Sequence, residues 1–93
     1  MTVMSVNEQA LFAIPPSHRL QWEEAQQIDV ILYPEGMVEL NQSSAEILKL
    51  CDGTRKLDDI TAELEQKFQT TGLKNDISQF LEVALKNGWI TEN

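Results

Sequence analysis

The chain has 93 residues, of which 42% are hydrophobic and 24% charged, a composition typical of one small folded domain. Fifteen acidic residues against seven basic ones give a formal net charge of -8, which disfavours binding to nucleic acid phosphates and to anionic membrane surfaces. The sequence shows no apolar stretch of bilayer length and no signal-peptide pattern at its start. Because the single cysteine, Cys51, cannot form an internal disulfide, we expect a cytoplasmic protein.

Residues 1–17 have no strong hydrophobic period and end in two prolines, Pro15 and Pro16, which favour extended backbone. We predict an extended N-terminal arm over residues 1–17, followed by one domain over residues 18–93. The arm carries an apolar cluster, Leu11, Phe12 and Ile14, which we expect to dock on the domain or on a second copy of the chain. Exchange of the arm between copies would give a homodimer.

The first half of the domain shows the two-residue period of strands. From Arg19, apolar and polar residues alternate, and the run Ile28–Tyr33 is apolar on both faces. Residues 34–36, Pro-Glu-Gly, predict a turn, and residues 37–40 predict a short third strand.

The second half shows the period of helices. A first helix is predicted over about residues 44–51, with Ser43 and Glu46 at the spacing of a capping box. Two further helices are predicted from apolar stripes, which are Leu57, Ile60, Leu64 and Phe68 in one, and Ile77, Phe80, Leu81, Ala84 and Leu85 in the other. The predicted class is α+β, winged-helix-like, with three short N-terminal antiparallel strands followed by three helices.

The residue types needed for catalysis or metal binding are scarce. His18, the only histidine, borders the proline-containing arm and is a poor candidate for a general base, and His18 with Cys51, the only cysteine, gives too few ligands for a zinc site. The adjacent acidic pairs are better explained by strand alternation and by favourable charges at a helix start. We therefore predict no catalytic residues, no metal, no cofactor and no enzymatic activity.

A winged-helix arrangement also suggests DNA binding through the third helix. Between residues 76 and 86 the only cation is Lys86, opposed by Asp76 and Glu82, whereas contacts to phosphate depend on Lys and Arg. A degenerate DNA-binding domain is kept as an alternative.

The third predicted strand is the best candidate for a binding surface, because a short edge strand leaves backbone groups that an extended peptide can pair with. Its residues are Met37, Val38, Glu39 and Leu40, and the third helix would add a groove wall from Gln79, Val83 and Lys86. A proline at Val38 would then remove a donor needed by the peptide. The residues alone equally allow Val83 to be an isolated exposed apolar residue and the edge to be covered by the arm.

Four segments of the chain together resemble the PqqD family of pyrroloquinoline quinone (PQQ) biosynthesis, over about residues 18–90. They are RLQWEE at 19–24, LYPEGMVELN at 32–41, AEILKLCDGTR at 45–55, and FL at 80–81 with GWI at 88–90.

The resemblance implies a winged-helix-like peptide-recognition domain that binds the precursor peptide PqqA and presents it to the radical-SAM enzyme PqqE. In related domains the peptide adds as a strand beside the third strand and packs against the third helix, which again points to residues 37–40, Gln79, Val83 and Lys86. Arg19 and Arg55 lie in the matching segments and are candidate contacts to carboxylates of a partner, or simple surface ion pairs. A structural subunit that does not bind peptide directly is the remaining alternative.

Overall fold

A three-stranded antiparallel sheet packs against three helices in the computed structural model, which describes residues 6–93. In chain order the elements are β1 (Phe12–Ala13), β2 (Arg19–Glu23), β3 (Ile28–Tyr33), β4 (Gly36–Leu40), α1 (Gln42–Lys49), α2 (Leu57–Phe68), α3 (Lys74–Lys86) and β5 (Thr91–Glu92). The predicted α+β class is confirmed, with the three predicted strands preceding the three helices. Of the helices in the described residues, none is long and apolar enough to span a membrane.

The main sheet has the order β2-β3-β4, so that β3 lies in the centre and the other two strands are edges. Alternate side chains of a strand point to opposite faces. One face carries the cross-strand row of Leu20, Ile31 and Val38, which packs on the core formed with the three helices. Ile31 of β3 thus faces the core, whereas Val30 and Leu32 point to the opposite face of the sheet.

A second, two-stranded sheet was not predicted. In it β1 pairs antiparallel with β5, and Leu11 and Asn93 exchange backbone hydrogen bonds of 3.0 and 2.9 Å. On its other side Phe12 accepts a bond from the Gly53 N–H at 2.8 Å, where Gly53 takes a φ of 88° that favours glycine. The N-terminal segment is thus held between the C-terminal strand and the loop that joins α1 to α2.

Several side chains of the N-terminal segment belong to the core. Val6 and Ala10 are buried, and Phe12 is 0% exposed. The described part of the predicted arm therefore docks on its own chain, while its first five residues lie outside the described range. Both the boundary at residue 17 and a homodimer formed through the arm stay predictions.

The start of α1 differs from the predicted capping box. The helix begins at Gln42 because the side chain of Asn41 accepts a hydrogen bond of 2.7 Å from the Ser44 N–H. Glu46 does not cap this helix and instead accepts a hydrogen bond from Lys67 at the end of α2. Lys49 lies 3.7 Å from Glu46 and 3.5 Å from Asp29 on β3, so these charges connect the sheet with two helices.

The hydrogen bond from Lys67 is the main cause that lowers the pKa of Glu46 below its ordinary value of 4.5, and the charges of Lys67 and Lys49 add to it. A carboxyl whose pKa is lowered by folding stabilises the fold above about pH 4.5, and this contribution is lost as the pH falls through the lowered pKa. The side chain of Glu46 is 13% exposed, whereas that of Lys67 is 56% exposed, so solvent limits the size of the effect.

We expect Glu46→Gln to lower the melting temperature at pH 7 by roughly 4–8 °C, the shift that follows from a loss of about 1 kcal/mol in a domain of this size. The difference from the wild-type protein should shrink as the pH is lowered from 5 towards 3, which thermal denaturation at a series of pH values will show. The control is Glu35→Gln in the exposed turn after β3. An equal difference at pH 7 and pH 3 would contradict this role of Glu46.

Candidate functional site

The edge strand β4 has an unpaired backbone along its outer side within the described residues, where it pairs only with β3. A two-residue turn joins the strands, so Tyr33 and Gly36 form the hydrogen-bonded pair that closes the hairpin. Bonded and non-bonded pairs alternate along an antiparallel ladder, and Val38 therefore bonds to Ile31. The outward backbone groups are those of Met37 and Glu39.

This register corrects the expectation for Val38. Its N–H is directed to β3 and not to the free edge, so a proline at Val38 would break the sheet itself. Glu39 and Met37 carry the donors that an added strand would use.

The side chains of β4 divide between two faces. Val38 packs against the core and Leu40 is buried in it, whereas Met37 and Glu39 are exposed on the opposite face. Since the buried side chains are committed to the core, the free groups of the strand are its backbone edge and two exposed side chains. An extended peptide would gain affinity from main-chain bonds here and selectivity from the neighbouring elements.

The three predicted residues of α3 all lie on its exposed side. Val83 is 47% exposed, and Gln79 and Lys86 are exposed as well. Val83 and Lys86 border an open depression of about 670 Å³, whose other walls include Val6 and Asn7 of the N-terminal segment. The structure thus brings two of the three α3 residues to one depression, and the N-terminal segment forms part of it while β4 does not.

The described part of the arm does not cover the edge of β4. It pairs with β5 through Phe12 and Ala13, and it reaches α3 through Val6 and Asn7. Competition between the arm and a peptide for the β4 edge, one of the two alternatives left by the sequence, is therefore not seen in residues 6–93.

A second, mainly apolar depression of about 300 Å³ lies among the three helices and was not predicted from the sequence. It begins at Asn41, directly after β4, and its apolar walls are Ile47, Leu64, Phe68, Leu73, Ile77 and Phe80. Phe68 is 44% exposed and Phe80 is only partly buried, although the helical period assigned both to core stripes. Such a period identifies the face of a helix but not whether another element covers its whole length.

The two candidate arginines differ in their surroundings. Arg55 forms ion pairs with Asp52 at 2.9 Å and with Glu63, and the hydrogen bond to Glu63 is the main cause that raises its pKa. Arg19 makes no ion pair with any residue from 6 to 93, and its guanidinium donates a 2.8 Å hydrogen bond to the neutral side chain of Gln21. Arg19 is therefore the more available of the two for a partner.

The single cysteine and the single histidine of the chain lie in different surroundings. Burial raises the pKa of the Cys51 thiol to about 12, which keeps it protonated and a poor nucleophile at neutral pH. His18 stacks on Tyr33 with ring centroids 5.6 Å apart. Between Val6 and Asn93, no three His, Cys, Asp or Glu side chains are grouped so that they could hold a metal ion.

Comparison with known proteins identifies the family. Residues 30–90 match the family model described as "Coenzyme PQQ synthesis protein D (PqqD)". A protein of Methylococcus capsulatus named "PqqA binding protein" is 52% identical over 89 residues, which is 96% of each chain. The chain belongs to the PqqD family. Proteins of the same name from Klebsiella pneumoniae and Pseudomonas aeruginosa are 45% and 52% identical, over 88% and 77% of this PqqD chain and 90% and 79% of theirs.

Two solved structures share the PqqD fold described above. One is the solution structure of the PqqD truncation of Methylobacterium extorquens PqqCD, described as a functional and stand-alone RiPP recognition element, where RiPP denotes a ribosomally synthesized and post-translationally modified peptide. It matches with a TM-score of 0.78 at 23% identity, over 91% of this chain and 93% of that one. The other is the heterocyclase TruD, with a TM-score of 0.69 at 20% identity, over 90% of this chain but 12% of TruD. At these identities the likeness shows the fold alone.

Proposed function

We propose that this PqqD family protein binds the precursor peptide PqqA and presents it to the radical-SAM enzyme PqqE in cytoplasmic PQQ biosynthesis, without catalysing a reaction itself. The observation that supports it best is the unpaired outer edge of β4, where Met37 and Glu39 direct their backbone groups away from the sheet. Relatives that are 45–52% identical over most of their length carry the name "PqqA binding protein".

In this proposal the peptide adds to β4 as a fourth strand of the main sheet. Main-chain hydrogen bonds to Met37 and Glu39 set its register, and exposed residues of α3, namely Gln79, Val83 and Lys86, contact its side chains. The apolar depression that begins at Asn41 lies directly beyond the end of β4 and is available to an apolar side chain of the peptide. Val38 and Leu40 support the strand from the core side.

The charges of α3 favour a peptide over DNA as its ligand. Lys74 is occupied by ion pairs with Glu8 at 3.1 Å and Asp58 at 3.0 Å. Within the described residues this leaves Lys86 as the only cation of α3 that makes no ion pair, which is too little positive charge for a recognition helix on a phosphate backbone.

Isothermal titration with synthetic PqqA tests the proposed function. We expect saturable binding of one peptide to one protein chain, and no binding of a scrambled peptide of the same composition. An amide chemical-shift map recorded during the titration should show its largest changes on β4 and α3. Absence of binding at peptide concentrations of several hundred micromolar would contradict the proposal, because the free energy of a weaker complex, above about -5 kcal/mol, is too small for a carrier.

A further inference from the structure

The face of the main sheet that is opposite to the helices is also apolar along its centre. The side chains of Ile28, Val30 and Leu32 alternate with those that enter the core, so they lie on this outer face. Val30 is 0% exposed, yet it is not part of the core cluster that joins the sheet to the helices. The accessible apolar surface of this outer face therefore comes from Ile28 and Leu32, which are only partly buried.

The register of the sheet shows what surrounds this apolar column. Gln21 and Glu39 flank Val30 on the two neighbouring strands, and Arg19 and Met37 flank Leu32. The helices pack on the face of Ile31, and within the described residues no strand or helix covers the outer face. The outer face therefore has a partly exposed apolar strip bordered by polar and charged residues on β2, and by the exposed Met37 and Glu39 on β4, and an apolar centre with a polar rim is the organisation of many protein interfaces.

The charges at the edge of this strip are available to a partner. The side chain of Arg19 donates a hydrogen bond to that of Gln21, and Gln21 donates a 2.7 Å hydrogen bond to Glu23. The three side chains on this face of β2 are thus linked by hydrogen bonds. Neither Glu23 nor Glu39 makes an ion pair with a described residue. Arg19 and Leu32 also line an open depression of about 410 Å³ that the stacked rings of His18 and Tyr33 border.

We propose that this outer face, with Arg19 and Leu32 at its centre of contact, docks the enzyme that receives the peptide, a step that rests on the proposed function. The matching surface of the enzyme would have an apolar centre, a carboxylate opposite Arg19 and basic groups opposite Glu23 and Glu39. A second copy of this chain is a poorer match, because each copy has a formal net charge of -8 and the two would repel each other.

The position of the outer face suits a presenting protein. It borders the free edge of β4 through Met37 and Glu39, whereas the depressions around α3 lie on the helical side of the sheet. An enzyme on the outer face would therefore lie next to a peptide paired with β4 and would leave the contacts of that peptide with α3 intact.

The test measures binding of the whole protein to purified PqqE. We expect Arg19→Glu to weaken this binding by about 10-fold or more, because it adds a third negative charge beside Glu23 and Glu39 and opposes it to the enzyme carboxylate that would face Arg19. Affinity for synthetic PqqA should stay within about twofold, since Arg19 is not part of the proposed peptide site. The matched control is Lys56→Glu, the same charge change at an exposed residue that precedes α2 in the helical layer.

A second variant, Leu32→Gln, tests the apolar part of the face, with circular dichroism to show that it is folded. The docking proposal is overturned if both variants bind PqqE like the wild-type protein, or if the wild-type protein does not bind PqqE. It is also overturned if light scattering shows that Arg19→Glu dissociates a dimer of the wild-type protein while its affinity for PqqE is unchanged. That result would assign the outer face to contact with a second copy of the chain. Binding of PqqE without binding of PqqA would contradict the proposed function and leave the docking face supported.

Discussion

Replacement of Glu39 by proline is expected to weaken binding of PqqA by at least about 30-fold, which corresponds to about 2 kcal/mol of binding free energy. Proline removes the outward N–H of Glu39, and its ring occupies space beside the edge where the added strand would lie. The bonds between β4 and β3 stay intact, because the Glu39 N–H is not directed to β3. Isothermal titration of the variant with synthetic PqqA measures the loss.

Two further variants distinguish the effect of the lost backbone N–H on peptide binding from the effect of the lost side chain and from loss of folding. Glu39→Ala keeps the backbone donor and should bind PqqA within a few-fold of the wild-type protein, whereas Val38→Pro breaks the ladder to β3 and should lose stability first. Wild-type affinity in Glu39→Pro would refute strand addition. If that variant also supported full activity of PqqE on PqqA, the alternative of a structural subunit without direct peptide binding would be favoured.

Replacement of Phe12 by alanine is expected to lower the free energy of unfolding by about 3–5 kcal/mol, the usual cost of removing a fully buried aromatic side chain. Phe12 is 0% exposed although it lies in the segment predicted as an arm, and its backbone bonds hold it against the loop after α1. Urea denaturation followed by tryptophan fluorescence measures the change.

The matched control for Phe12 is Phe68→Ala, which removes the same side chain from a site that is 44% exposed. We expect this control to cost no more than about 1 kcal/mol, because less apolar surface returns to water. If the two variants lose equal stability, residues 6–14 are not an integral part of the core.

The main sheet and the three helices could be predicted because each repeats its hydrophobic period over several residues. The β1–β5 pair could not, since each of its strands has two residues and its partners come from opposite ends of the chain. Two residues define no period, and their pairing depends on where the rest of the chain places them. The sequence predicts that the apolar cluster with Phe12 docks on the domain or on a second copy, but the surface that buries Phe12 is visible only in the fold.

The candidate site was predictable as a strand and a helix but not in its details. Which backbone groups of β4 face outwards depends on the pairing of Tyr33 with Gly36, and a shift of one residue would reverse the choice between Val38 and Glu39. Glu46 matched a local capping pattern, yet its partner Lys67 lies one helix away. Phe80 is likewise only partly buried because of the way in which the three helices pack together. The sequence of each helix alone does not give this packing arrangement.

The pairing of β1 with β5 has a consequence for how this fold can be connected to other chains. Val6 and Glu92 border the same depression, so both ends of the described fold lie close together, at a depression to which β4 contributes no residue. A unit whose entry and exit are neighbours can be joined to another domain at either end without stretching or crossing its own structure. The fold occurs in such settings in the Methylobacterium extorquens PqqCD chain and in TruD, where it matches 12% of a much longer chain.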